Sequence, residues 1–388
     1  MTSNPTSSDR VWPKTGLWAA SFRVMFPLAA LWAALCVALW QWQANLNLPF
    51  DLTLDWHIHE MTFGFAGAAL AGYLLTACPS WTGRAPPSGW PLMVLAFLWI
   101  ATRVALVALW LPFGAITSVA FFWGVALLLW GETRKSGKPG RPGFILFCLA
   151  AGIGSAFWIT GLYNNALPMW APYVPVIGFS LLLIVVGGQI LPAFLSRAAI
   201  WRGRKPAEEP DWLGPVALLS IVMATLILLT EHAATAGGFL RFAALALIAR
   251  MAFWSLRSAL RDRLLAMLTL AYLWLPLGLY LWGASLSETG PLSEPQSLHA
   301  LIMGAMGGLI FAVSARSIAH RTPTGLRPRR GTIPAFALIW LATWARMVDA
   351  LDLAATLWCS GWLLYALLFL PALAGPVVRP VFSGTRNS

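Results

Sequence analysis

Charged side chains make up only 10% of this 388-residue chain, and no Asp or Glu falls in the middle of any of its long apolar runs. That scarcity excludes an ordinary soluble domain, in which about a quarter of residues are charged. It also argues against a proton pump, which carries acids through the membrane. Cysteine is as scarce. Cys36, Cys78, Cys148 and Cys359 are scattered through apolar stretches with no C-x-x-C and no C-x-x-C-H, so covalent c-type heme, a zinc ribbon and a disulfide scaffold are all disfavoured. They read as small buried apolar residues. A short cleavable leader is lacking too: the first apolar run has the length of an anchor.

What the chain has is hydrophobic length. With 59% apolar residues, 23 tryptophans and a mean hydropathy of +0.72, it repeats apolar runs of about 20 residues, the length of a spanning helix. Charged and Pro/Gly-rich breaks divide it into twelve spans centred near Trp32, Ala68, Leu98, Trp123, Gly154, Leu183, Met223, Leu247, Tyr272, Leu309, Ile339 and Leu364. The expected fold is an all-α polytopic membrane bundle of twelve transmembrane helices. Residues 1–20 form an N-terminal tail, 21–375 a single membrane domain and 376–388 a C-terminal tail.

Basic residues collect in alternate connections. The tail holds Arg10, Lys14 and Arg23; then come Arg84, the Arg134/Lys135/Lys138/Arg141 group, the Arg197/Arg202/Arg204/Lys205 group, Arg257/Arg261/Arg263, and the cluster from Arg316 to Arg330. The intervening connections hold acids instead: Asp51, Asp55, Glu288, Glu294, Asp349 and Asp352. This positive-inside alternation predicts both termini on the cytoplasmic side of the membrane. The net charge of +12 follows from that topology, with anionic lipid at the cytoplasmic face as its natural partner and no role for nucleic acid.

Four of the five histidines fall at helix ends on the other, extracytoplasmic face. His57 and His59 open span two, His232 closes span seven after Glu231, and His299 opens span ten; His320 belongs to the basic surface. Imidazole is the commonest metal ligand, so four at one level suggest a metal site. His57 and His59 are about 200° apart on a regular helix and face different ways, so either the helix start is irregular or they serve two centres. Glu60 and Met61 share the face of His57, Glu60 as a group that could orient an imidazole and Met61 as packing.

An internal repeat pairs two of the histidines. His59 is followed by Gly64 and Gly67, and His299 by Gly304 and Gly307, at the same offsets. Leu98-Trp99-Ile100-Ala101-Thr102 then aligns with Ile339-Trp340-Leu341-Ala342-Thr343. Spans two and three thus correspond to spans ten and eleven, and the simplest unit is four helices used three times, with no evident copy of the pattern in the middle. Glycine lets a helix approach a macrocycle or another helix closely, so a glycine-flanked histidine pair would suit a b-type heme, and tight helix packing explains the glycines equally. Met303 and Met306 read as packing. Arg103, Arg250 and Arg346 lie inside spans, each near mid-membrane or slightly outward, and need partners. Glu60, Glu231 and Asp349 are the candidates in the protein; heme propionates or an anionic substrate are the others.

The run from Trp56 to Pro91, WHIHEMTFGFAGAALAGYLLTACPSWTGRAPPSGWP, with the later HALIMGAMGG segment, resembles the NnrS family of bacterial membrane proteins. The resemblance covers nearly the whole chain. It implies a twelve-span protein containing heme and copper, associated with nitric oxide metabolism and resistance to nitrosative stress. The chain also resembles the catalytic subunit of heme-copper oxidases and nitric oxide reductases, whose ligands lie on helices two, six, seven and ten. Here helix six offers Pro172-Tyr173-Val174-Pro175 and no histidine, so the ligand set is too small for the full reductase site. With heme and copper implied by the resemblance, the glycine pattern of the repeat assigns His59 and His299 to heme b, with Gly64, Gly67, Gly304, Gly307, Arg103, Arg250 and Arg346 around it. His57 and His232 go to copper, with Glu60 or Glu231 orienting an imidazole. The expected function is binding or conversion of nitric oxide at an extracytoplasmic metal site, with an unidentified electron donor. A transporter for a small anion or metal, and an assembly factor for respiratory metalloenzymes, are the alternatives.

Overall fold

The computed structural model describes residues 15–46, 52–137, 141–164, 166–201, 208–254, 256–322, 325–378 and 381–382. Asp51, Arg10, Lys14, Lys138, Arg202, Arg204, Lys205 and the ends of both expected tails lie outside the described residues. Twelve principal helices run through the rest. They are α1 (Ser21–Leu46), α2 (Leu54–Thr82), α3 (Trp90–Val107), α4 (Leu111–Ser136), α5 (Pro142–Asn164), α6 (Tyr173–Trp201), α7 (Leu213–Leu228), α8 (Ala233–Ala252), α9 (Arg263–Leu286), α10 (Glu294–Ser317), α11 (Thr332–Met347) and α12 (Leu351–Phe369). Ten of them are long and apolar enough to cross a membrane, and the protein is an all-α polytopic bundle. The two short ones, α7 and α11, have 16 residues each and rise about 24 Å, a little less than the hydrocarbon thickness. The departure from all-helix is a small hairpin, β1 (His320–Thr322) antiparallel to β2 (Gly325–Arg327), in the basic segment before α11.

Local sequence sets the helix ends. Thr53 accepts the Trp56 amide at the start of α2, Asp262 accepts the Leu264 and Leu265 amides at the start of α9, and Ser293 with Gln296 closes a capping box at the start of α10. Gly83 and Gly137 end α2 and α4 in the left-handed conformation that glycine adopts freely.

The helices form three sets of four, α1–α4, α5–α8 and α9–α12. The fourth helix of each set packs along the first of the next: α4 on α5, α8 on α9, and α12 back on α1, closing a ring. Each set turns between its third and fourth helices through a non-glycine residue with positive φ: Leu109 at 58°, Glu231 at 62° and Asp349 at 60°. The following residue, Trp110, His232 or Ala350, caps the next helix at nearly the same φ and ψ in all three. The middle copy, invisible as a sequence pattern, is therefore present in the backbone. The second helices lie inside the ring, with α6 touching both α2 and α10.

The repeat is closest between α2 and α10. Each begins as a regular α-helix, ends that stretch at a histidine (Leu54–His59 and Glu294–His299), and continues as a π-helix over Glu60–Ala66 or Ala300–Gly307 before returning to α. π segments are rare and concentrate at functional sites.

Candidate functional site

The histidine end of the bundle is the end at which α2 and α10 begin and α3 and α11 finish. His59 sits there with no solvent exposure. Its Nδ1 lies 2.8 Å from Glu60 Oε1 and its Nε2 2.8 Å from Ser155 Oγ on α5, which is 2.6 Å from Ser118 Oγ on α4. A carboxylate only accepts, so His59 Nδ1–H donates to Glu60. His59 Nε2 then accepts from Ser155, and Ser155 accepts from Ser118. The other Glu60 oxygen pairs with Arg103 Nε at 2.7 Å, and the Arg103 guanidinium lies 5.0 Å from the Trp99 ring centre. A buried chain of Arg103, Glu60, His59, Ser155 and Ser118 thus ties α2, α3, α4 and α5 together, with every charge matched, as a low-dielectric site requires.

Two residues earlier, His57 points elsewhere, as the 200° rule dictates. Its ring stacks on Trp40 of α1 at 5.2 Å and 26°. Its Nδ1 is buried without a hydrogen-bond partner. His299 of α10 and Arg346 of α11 are close enough to interact with it electrostatically. His299 Nδ1 donates to the Pro295 carbonyl at 2.6 Å, which fixes the tautomer and leaves the Nε2 lone pair for a ligand. Arg346 is held by Asp349 at 2.8 Å.

The four histidines therefore do not form one cluster. His57 and His299 lie within electrostatic reach of each other; His59 is engaged at both nitrogens; His232 is exposed in the α7–α8 turn, where its Nδ1 donates to the Thr230 carbonyl at 2.7 Å. Glu231 is exposed beside it. Among the described residues no three His, Cys, Asp or Glu side chains gather as a metal-holding set. Arg250 also departs from expectation. It lies in the last turn of α8, at the basic end of the bundle, and binds Glu209 and the Gly188 carbonyl rather than Glu231.

The glycine faces test the fit of a macrocycle, and they are filled. A methyl at Gly64 would meet the Trp32 indole and the Glu60 carboxylate; one at Gly67 would meet Phe122. On α10, Gly304 receives Trp274 and Gly307 receives Trp358. A heme lying on these glycines does not fit. His57, with an orphaned buried nitrogen, and His299, with a nitrogen freed by its backbone bond, each offer a metal one donor. Both imidazoles suit either copper or a heme iron.

Sequence reasoning missed Ser118, Ser155 and Trp40. The serines could have been noticed as isolated hydroxyls within the apolar runs of α4 and α5, but nothing local joins them to His59. Trp99, by contrast, lies in the repeated segment and donates to the Gly64 carbonyl of the π segment at 3.0 Å, whereas its counterpart Trp340 has a buried indole N–H without a partner.

No curated protein matches the chain. The family model described as NnrS protein matches residues 16–376, from the turn before α1 to the segment after α12, and the chain belongs to the NnrS family.

Proposed function

We propose that the protein is a membrane metalloprotein of the nitric oxide response that holds its metal, heme b or copper, between His57 and His299 at the extracytoplasmic end of the bundle. The observation that carries this reading is the buried, partnerless Nδ1 of His57 within electrostatic reach of His299, whose Nε2 is left free. The NnrS resemblance supplies the cofactor classes and the link to nitric oxide. His299 keeps its expected role, while His57 takes the place expected for His59 because Glu60 and Ser155 already occupy that ring. Glu231 and His232 take no part in this site.

A bound copper, held by two imidazoles, would supply an open coordination position for nitric oxide, and a heme iron would supply one where one of the two imidazoles gives up its place. The protein's own residues do the rest. Trp40 holds the His57 ring flat and shields it from water. Pro295 sets the His299 tautomer. Arg346 places a cation beside both imidazoles, suited to a heme propionate or to an anion formed from nitric oxide. Nitric oxide is small, neutral and lipid-soluble and reaches such a site through the bilayer. The positive-inside pattern supports cytoplasmic termini in the bacterial inner membrane, with anionic lipid against the basic loops.

Metal content tests this. Protein purified from heme- and copper-replete cells should carry at least one of the two, by hemochrome absorbance or elemental analysis. H57A and H299A should each lose it, while H232A retains it. Absence of both metals from the wild type, the outcome a transporter would give, overturns the reading. Full retention in H57A and H299A overturns the ligand pair.

A further inference from the structure

A cavity of about 660 Å³ lies at the basic end, opposite the histidines. It is bounded by the start of α1, the ends of α2 and α6, and the C-terminal segment, whose Phe382 packs on Tyr73 at 5.8 Å and receives Arg316 Nε on its carbonyl at 2.8 Å. Three arginines line it. Arg84 is neutralised by Glu132 at 2.8 Å. Arg141 donates to Gln189 Oε1 at 2.7 Å and lies 5.1 Å from the Trp81 ring centre; these contacts orient its guanidinium without cancelling its charge. Arg197 is exposed, with the like charge of Arg316 beside it. Neither Arg141 nor Arg197 forms an ion pair among the described residues.

A second cavity of about 70 Å³ adjoins the first and shares Tyr73, Ile190 and Val313 with it. Its wall is apolar, including Leu70, Leu183, Met306 and Leu309 at the junction of α2, α6 and α10. Its volume is that of about two waters, which suits the first carbons of an apolar substituent. A guanidinium pair without a counter-ion among the described residues, beside an apolar recess, matches a ligand with a compact anion at one end and hydrocarbon at the other. Phosphate presents three acceptor oxygens to such a pair.

We propose that this cavity binds a phosphate ester bearing an apolar group, its phosphate between Arg141 and Arg197, and that the source is the headgroup of an acidic phospholipid. The site stands at the level of the basic loops, where lipid phosphates lie, and is separate from the histidine end. Its occupancy is independent of whether a metal binds there.

The test is native mass spectrometry of the full chain released from phosphatidylcholine nanodiscs and titrated with short-chain phosphatidylglycerol. One phosphatidylglycerol should bind at least about 10-fold more tightly than phosphatidylcholine, the scale of one charge-assisted hydrogen bond. R197Q should remove most of that preference and R141Q/R197Q all of it, whereas R330Q, on the exposed segment after β2, should keep it. Arg197 is exposed, so R197Q leaves the fold intact, which unchanged helicity confirms. Equal affinity for the two lipids in the wild type, or an unchanged preference in R197Q and the double variant, overturns the site. Competition by glycerol 3-phosphate at the lipid's own concentration overturns the lipid source and assigns the cavity to a soluble phosphate ester.

Discussion

At the scale of single residues, the Glu60–Arg103 pair carries the sharpest consequence. Both side chains are buried, with side-chain exposures of 0% and 6%, so neither charge has water to fall back on. Removing one partner of a buried pair costs about 3–5 kcal/mol, because the other charge is left uncompensated. E60Q should therefore lower thermal stability in detergent sharply, and E60Q/R103M should recover much of the loss. Equal loss in single and double variants would mean that the pair is not coupled. The same residues show what a sequence can reveal. That Arg103 needed an acid, and that Glu60 was within reach, followed from hydropathy alone. That His59 joins this pair did not follow, because its second ring nitrogen is engaged by the hydroxyl of Ser155, a residue 96 positions away. The His57/His59 divergence was legible from helical geometry, but what each ring meets, Trp40 for His57 and Ser155 for His59, was not.

At the scale of elements, the π segments explain the glycines. Gly64 and Gly304 stand at equivalent places in the two segments, and each takes an indole, Trp32 from α1 or Trp274 from α9, where a side chain would be. The glycine spacing was visible in the sequence as a repeat, but its occupant was not, since α1 and α9 bring their tryptophans from about 30 residues upstream. G64A and G304A should each destabilise the protein by about 1–3 kcal/mol, the cost of overpacking a filled core. G238A in α8 makes a control, because a methyl there meets nothing within 4 Å. Thermal unfolding of the three variants decides it: a loss in G238A as large as in the other two would detach the effect from Trp32 and Trp274. The shared turn between third and fourth helices was hidden for another reason. Leu109, Glu231 and Asp349 are three unlike residues in one left-handed conformation, so only the backbone records their equivalence.

At the scale of the whole molecule, three four-helix sets close only if the last helix returns to the first. The contacts of α12 with α1 make that closure, including Trp358 Nε1 on the Ala33 carbonyl at 3.0 Å. At the basic end, Arg23 donates to the carbonyls of Gly16, Ala374, Gly375 and Pro376, and Thr15 bridges Pro376 in an antiparallel pair. Cα atoms in such a bridge lie about 4.5–5.5 Å apart, inside the range a disulfide spans. T15C/P376C should therefore form an intramolecular disulfide under mild oxidation, read as faster migration on a non-reducing gel and reversed by reductant. The background is low, since all four native cysteines are buried. R23Q in the same variant should slow the cross-link, because the four carbonyls lose their common donor and the C-terminal segment its anchor. A T15C/P376C protein that stays reduced while its membrane fraction remains folded would mean that the ring is open at this seam. The contact of the C-terminal segment with the basic cavity would then have to be redrawn with it.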